Sequence, residues 1–263
     1  MKNWYRIENK AADEATIYVY DEISSWGISA NQFVKDLGEV KAGKINLRIN
    51  SPGGNVFDGV TIYNALKEHP AQVNVKVDGL AASIASIIAM AGDTIHMAKN
   101  AMFMVHKAWS LEMGNADAMH KMGDVLDKID SMLVKTYADR TGKSQRAIKQ
   151  MMTDETWMSA EEAKAAGFAD TIGDPEEAKA AFDLSRFAKV PSEVLDRFAA
   201  KHSEHTERDI ETLLRDAGVS RTQAKAAVAA IKAAPQRDAE AEEFKQWCNN
   251  RSQLIQVETL LTK

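Results

Sequence analysis

The chain has 263 residues, 45% of them hydrophobic, and a formal net charge of −5. That length allows one or two domains with a sizeable core, and the acidic balance argues against a nucleic-acid partner. A single cysteine, Cys248, excludes an intrachain disulfide and fits a reducing compartment.

The opening "MKNWYRIENKAADEA" is polar and lacks the apolar centre of a secretory signal. The longest apolar run, around residues 79–92, is too short to cross a bilayer. A soluble cytoplasmic protein with no membrane partner is therefore expected. "ATIYVYDEI" (15–23) alternates and is rich in β-branched and aromatic residues, which predicts a strand. "SANQFVKDLGEV" predicts a helix with Ser29 as N-cap. "INLRIN" (45–50) predicts a second strand, ended by "SPGG", and "VFDGVTIYNALKEH" a helix stopped by Pro70. "AQVNVKVDG" (71–79) reads as a third strand, "AASIASIIAMAG" as a helix, and "TIHMA" and "AMFMVH" as short strands. This alternation predicts an α/β sheet of parallel type.

From 112 to 139 the pattern is one long helix, with Met119, Met122, Leu126, Ile129, Leu133 and Tyr137 at three- and four-residue steps. "KSQRAIKQMM" and "SAEEAKAAG" predict shorter helices. The second has a capping-box form, Ser159 with Glu162 three residues later. Beyond about 175 the composition turns to Ala, Glu, Lys, Arg and Asp without strand signals. That stretch reads as a helical or partly disordered extension.

Two serines, Ser83 and Ser86, stand in the apolar stretch "VDGLAASIASIIAMAGDTI". A nucleophilic serine needs a base, a group that orients the base, and donors for an oxyanion. Ser83 opens a helix, where first-turn amides lack partners and the dipole favours negative charge. "INSPGGNV" exposes backbone amides with no side chains in the way. His106 ends a strand, and Asp154 and Glu155 adjoin in "TDETWMS". Each also has a plainer reading: a small packing residue, a common turn, a structural histidine, a solvated acidic turn.

Together these segments resemble the Clp protease proteolytic subunit, the ClpP family. "INSPGG", a helix, "VDGLAAS", "MVH" and "TWMSAEEAKAAGFAD" follow that family's order over about residues 15–173. The resemblance implies an α/β, ClpP/crotonase-like fold with repeated β-β-α units and a long handle helix, to which the composition adds an α-helical C-terminal extension. It implies a peptidase domain over 1–174 and an extension over 175–263, with every catalytic group in the former. Ser83 would be the nucleophile and His106 the base. The amides of Gly54 and Ile84 would form the oxyanion hole. Glu155 aligns with the family's Asp, and Asp154 is the alternative acid. No cofactor or metal is implied. The expected partners are protein substrates and further copies of the chain in a ring, heptameric in one form.

The N-terminal segment shows no obvious equivalent of the family's axial loops, which weighs against docking to an unfolding ATPase. "ERDIETLLRDAGVSRTQAKAAVAAI", "IYVYDEI", "SANQFVKDL" and "INSPGGNVFDG" resemble head-maturation proteases of tailed phages. That resemblance implies processing of scaffold and major capsid proteins inside an assembling prohead. The rival expectations are an ATPase-associated subunit for general turnover, a crotonase-type acyl-CoA enzyme, and an inactive scaffold.

Overall fold

Hydrophobic alternation builds the centre of the molecule. Ile45, Leu47 and Ile49 of strand β3 (Lys44–Ser51) and Val73, Val75 and Val77 of β4 (Gln72–Ala82) are buried on the same side of the sheet. This is the two-residue period of a pleated strand. The structure is a computed structural model, in which residues 3–11, 13–24, 28–110, 112–174 and 182–198 are described. They include an eight-stranded sheet in the order β1-β2-β3-β4-β5-β8. Its remaining members are β1 (Tyr5–Ala11), β2 (Glu14–Tyr20), β5 (Thr94–Ala98), β6 (Met102–Val105), β7 (Thr156–Ser159) and β8 (Thr171–Gly173).

Pairing from β2 through β5 to β8 is parallel, as the alternation predicts. The β1–β2 and β6–β7 pairs are antiparallel. β6 leaves the main path and pairs with the far end of β4. Strands β1, β7 and β8 escape the sequence patterns because two are only three or four residues long and β1 is a polar edge strand.

The helices are α1 (Ala30–Gly38), α2 (Val56–Glu68), α3 (Ile84–Ala89), α4 (Ala116–Thr141), α5 (Gln145–Thr153), α6 (Ala160–Ala165) and α7 (Ser192–Phe198). Ser29, Asn55, Asn115, Ser144 and Ser159 cap five of them through side-chain oxygens that accept first-turn amides. Ser159 and Glu162 form the expected capping box. The helix expected from Ala81 starts later. Ala81 and Ala82 finish β4, and α3 spans only six residues.

The described residues belong to one compact unit, Met1–Lys201. Its end lies beyond the boundary expected at 174/175. Phe182, Leu184, Phe187, Val194 and Phe198 are buried against Leu80, Ala82 and Met104 of β4 and β6. Residues 182–198 thus form a strap on the sheet. The rest of the expected helical extension, 175–181 and 199–263, lies outside the described residues. Among the described residues no helix is long and apolar enough to cross a membrane.

Candidate active site

Sheet register alone gathers the candidate groups. Parallel pairing sets Ala82 of β4 opposite Met104 of β6, so Ser83 and His106 leave neighbouring strands at the same end. Antiparallel pairing sets Val105 opposite Thr156, which brings Glu155 beside His106. Ser51 of β3 pairs with Ala81, so the Pro52-Gly53-Gly54 turn runs along Ala82, Ser83 and Ile84. Nε2 of His106 lies 2.8 Å from Oγ of Ser83.

Ser83 sits at φ 55° and ψ −130° between β4 and α3. A non-glycine residue there carries about 1–3 kcal/mol of strain, which the surroundings must hold in place. Its amide donates to the carbonyl of Met104, 3.1 Å away, tying the bend to β6. The glycine turn presses on the same point. A Cβ on Gly53, at φ 95°, would stand 2.7 Å from Ser83 Cβ and 2.8 Å from the carbonyl oxygen of Ala82. One on Gly54, at φ 147°, would collide with the Ile23 carbonyl. Gly53→Ala is therefore expected to cost about 1–3 kcal/mol and to displace Ser83. Melting temperature and peptidase turnover should fall together, whereas Gly38→Ala, with open space around it, should change neither.

Ser86 answers differently. It is fully buried, its hydroxyl donates to the Ser83 carbonyl, and its oxygen lies 2.7 Å from the Tyr137 hydroxyl on α4. It is a packing residue. His96 is near the Thr171 hydroxyl on β8, and His120 is exposed on α4.

Burial holds the His106 imidazole below its ordinary pKa of 6.5. The negative charges of Glu155 and Asp130 pull the other way, and Arg186 adds to the lowering. At neutral pH the ring is thus an unprotonated base. The edge of Phe187 packs on it, with ring centres 5.4 Å apart. Asp130 of α4 is buried and accepts the Ala108 amide at 2.8 Å, which fixes the chain just past His106.

Glu155 adopts φ 51°. Its carboxylate accepts the amides of Lys189 at 2.6 Å and Ala188 at 2.9 Å, and the Trp157 indole N–H at 3.2 Å. Asp154 is directed elsewhere, its carboxylate accepting from Gln150 on α5 at the exposed surface. An apolar cleft of about 310 Å³ opens beside Ser83, lined among others by Gly54, Phe57, Ile84, Leu126 and Arg186.

A family model described as Clp protease matches residues 1–176. This chain belongs to the Clp protease family. As a member of that family it is a serine-type peptidase. One similar protein is the ATP-dependent Clp protease proteolytic subunit of Angiopteris evecta, 36% identical over 157 residues, or 59% of this chain and 79% of that one. The corresponding subunit of Marchantia polymorpha is 32% identical over 176 residues, 64% of this chain and 86% of its own. That of Leuconostoc citreum is 35% identical over 133 residues, 49% and 66% of the two chains.

The Clp protease match ends short of the strap, and the strap contains what sequence reasoning missed. Arg186, Phe187, Ala188 and Lys189 all reach the candidate site. Every expected catalytic group still lies within 1–174, but contacts to Glu155 and His106 come from beyond it. A signal was present: "FDLSRF" spaces Phe182, Leu184 and Phe187 as a short apolar patch ahead of the charged extension.

Proposed function

We propose that the chain cleaves peptide bonds with Ser83 as nucleophile, His106 as general base and Glu155 as the acid. The observation that carries this reading is the 2.8 Å approach of His106 Nε2 to Ser83 Oγ at a strained bend. The neutral imidazole takes the hydroxyl proton as Oγ attacks the scissile carbonyl. The amides of Gly54 and Ile84, on the two segments flanking the nucleophile, receive the oxyanion. His106 then passes the proton to the leaving amine, and water hydrolyses the acyl-enzyme by the same steps. Labelling by a fluorophosphonate probe that is lost in Ser83→Ala tests it. A crotonase-type acyl-CoA enzyme would not be labelled.

The substrates in this reading are scaffold and major capsid proteins of a tailed phage. The support is the resemblance of "SANQFVKDL", "INSPGGNVFDG" and the C-terminal segment to head-maturation proteases, together with the 87 residues that follow the family match. The similar proteins carry the name of an ATP-dependent subunit, which supports general turnover with an unfolding ATPase as the second reading. Co-expression separates the two. Cleavage of scaffold within assembling shells supports the first, and ATPase-stimulated degradation of a folded protein supports the second.

The peptidase works as a ring in this reading. α4 extends about 39 Å at 1.5 Å per residue. Its buried residues begin only at Ile129, while Met119, Val125 and Met132 are exposed. Val125 and Met132, seven residues apart, share one exposed face, which suits contact between copies. Val125→Glu should convert the assembly to smaller species in light scattering and lower peptidase activity. A stable, fully active monomer of the native chain would contradict the ring.

A further inference from the structure

The acid of the candidate triad is held by a part of the chain outside the family match. Both oxygens of Glu155 are bound by consecutive backbone amides of the strap, those of Ala188 and Lys189. The strap is itself anchored. Five of its apolar side chains are buried on β4 and β6. Arg186 pairs with Glu22 at 2.6 Å, and the Lys189 ammonium donates to the Asp154 carbonyl at 2.7 Å. Phe187 packs edge-on against both His106 and Trp157. The Trp157 indole completes three donors around one carboxylate.

We propose that the strap is a working part of the peptidase site, its Ala188 and Lys189 amides acting as positioning groups that hold Glu155 for His106. This rests on the triad reading given above. A glutamate has one more rotatable bond than an aspartate and loses more side-chain freedom when fixed. Charge-assisted bonds from two rigid amides supply that fixing without a side chain that must itself be ordered. An aspartate at 155 would fall a methylene short of the same donors. The longer acid and the strap therefore belong together, and the peptidase unit ends near residue 198 and not near 175. Phe187 supports the arrangement by keeping water from the imidazole, so that the Glu155 charge acts on His106 through a drier medium.

The test uses the full-length chain and measures kcat/KM for a peptide, and the rate of fluorophosphonate labelling, across pH. Lys189→Pro and Ala188→Pro each delete one amide hydrogen. Each should lower kcat/KM by about 10²-fold, the scale of a displaced catalytic group. Lys189→Ala, which keeps the amide, should recover at least about tenfold over Lys189→Pro. In a Glu155→Gln background Lys189→Pro should add less than about twofold, because the two changes act through one group. Where a proline variant fails to fold by circular dichroism, Phe187→Ala replaces it. Its acid limb should move to higher pH as the imidazole regains water, a change that mere loss of stability does not produce. Full additivity with Glu155→Gln, an unmoved limb, or a gain of activity would overturn the proposal, the last by marking the strap as an inhibitory cover. A Glu155→Gln variant of normal activity would instead overturn the triad reading, and the proposal with it.

Discussion

Ser83→Ala is expected to abolish peptide cleavage and probe labelling, a loss of about 10⁶-fold, while the folded chain persists. Ser83 contributes no packing that Ala cannot replace. Its backbone, at φ 55°, is held by the Met104 carbonyl and the Gly53 turn, neither of which touches the hydroxyl. Ser86→Ala has the opposite profile. It leaves the Tyr137 hydroxyl without its buried oxygen partner, which costs about 1–3 kcal/mol of stability. The bond from Ser83 to His106 survives, so labelling should persist. Active-site titration with a fluorophosphonate, beside a thermal melt, separates the two. Loss of labelling in Ser86→Ala with retention in Ser83→Ala would assign the nucleophile to the other serine.

The central strands and the two members of the serine–histidine pair were legible because their signals are local. Ile45, Leu47 and Ile49 repeat every second residue, and His106 closes a short apolar strand. The distinction between Ser83 and Ser86 was legible only as a choice. It depends on a positive φ that no hydropathy pattern encodes, at a bend where propensity favours continuing the helix back to Ala81. The strap left an apolar signal in "FDLSRF", but its contact with Glu155 was illegible for a different reason. It engages Glu155 through backbone amides, which every residue but proline carries, so the side chains of Ala188 and Lys189 gave no sign of the role. Its apolar residues pack on Leu80, Ala82 and Met104, about a hundred residues earlier, and only the fold brings them together. The preference for Glu155 over Asp154 in the proposed site likewise rests on the antiparallel register between β6 and β7, not on composition.

Glu155→Gln is expected to lower turnover by about 10⁴-fold, the order seen when a triad acid becomes an amide. Two physical losses combine. The imidazolium formed in the transition state loses its countercharge. The Gln side chain also presents an NH₂ where one of the Ala188 or Lys189 amides needs an acceptor, so donor meets donor and the side chain is pushed from its place. The pH profile carries a signature with a definite sign. His106 already titrates below 6.5 because burial outweighs the neighbouring negative charges. Glu155 is the first of the groups that raise it. Removing that charge lowers the imidazole pKa further, so the ring stays unprotonated to a more acidic pH. The acid limb of kcat/KM should lie below 6.5 in the native chain and move lower still in Glu155→Gln, although the plateau collapses. Asp154→Asn, whose carboxylate meets only Gln150 among the hydrogen-bond donors named, should stay within a few-fold of native with an unmoved limb. A limb that rises in Glu155→Gln, or equal small losses in both variants, would remove Glu155 from the acid's role and leave Ser83 and His106 to act as a dyad.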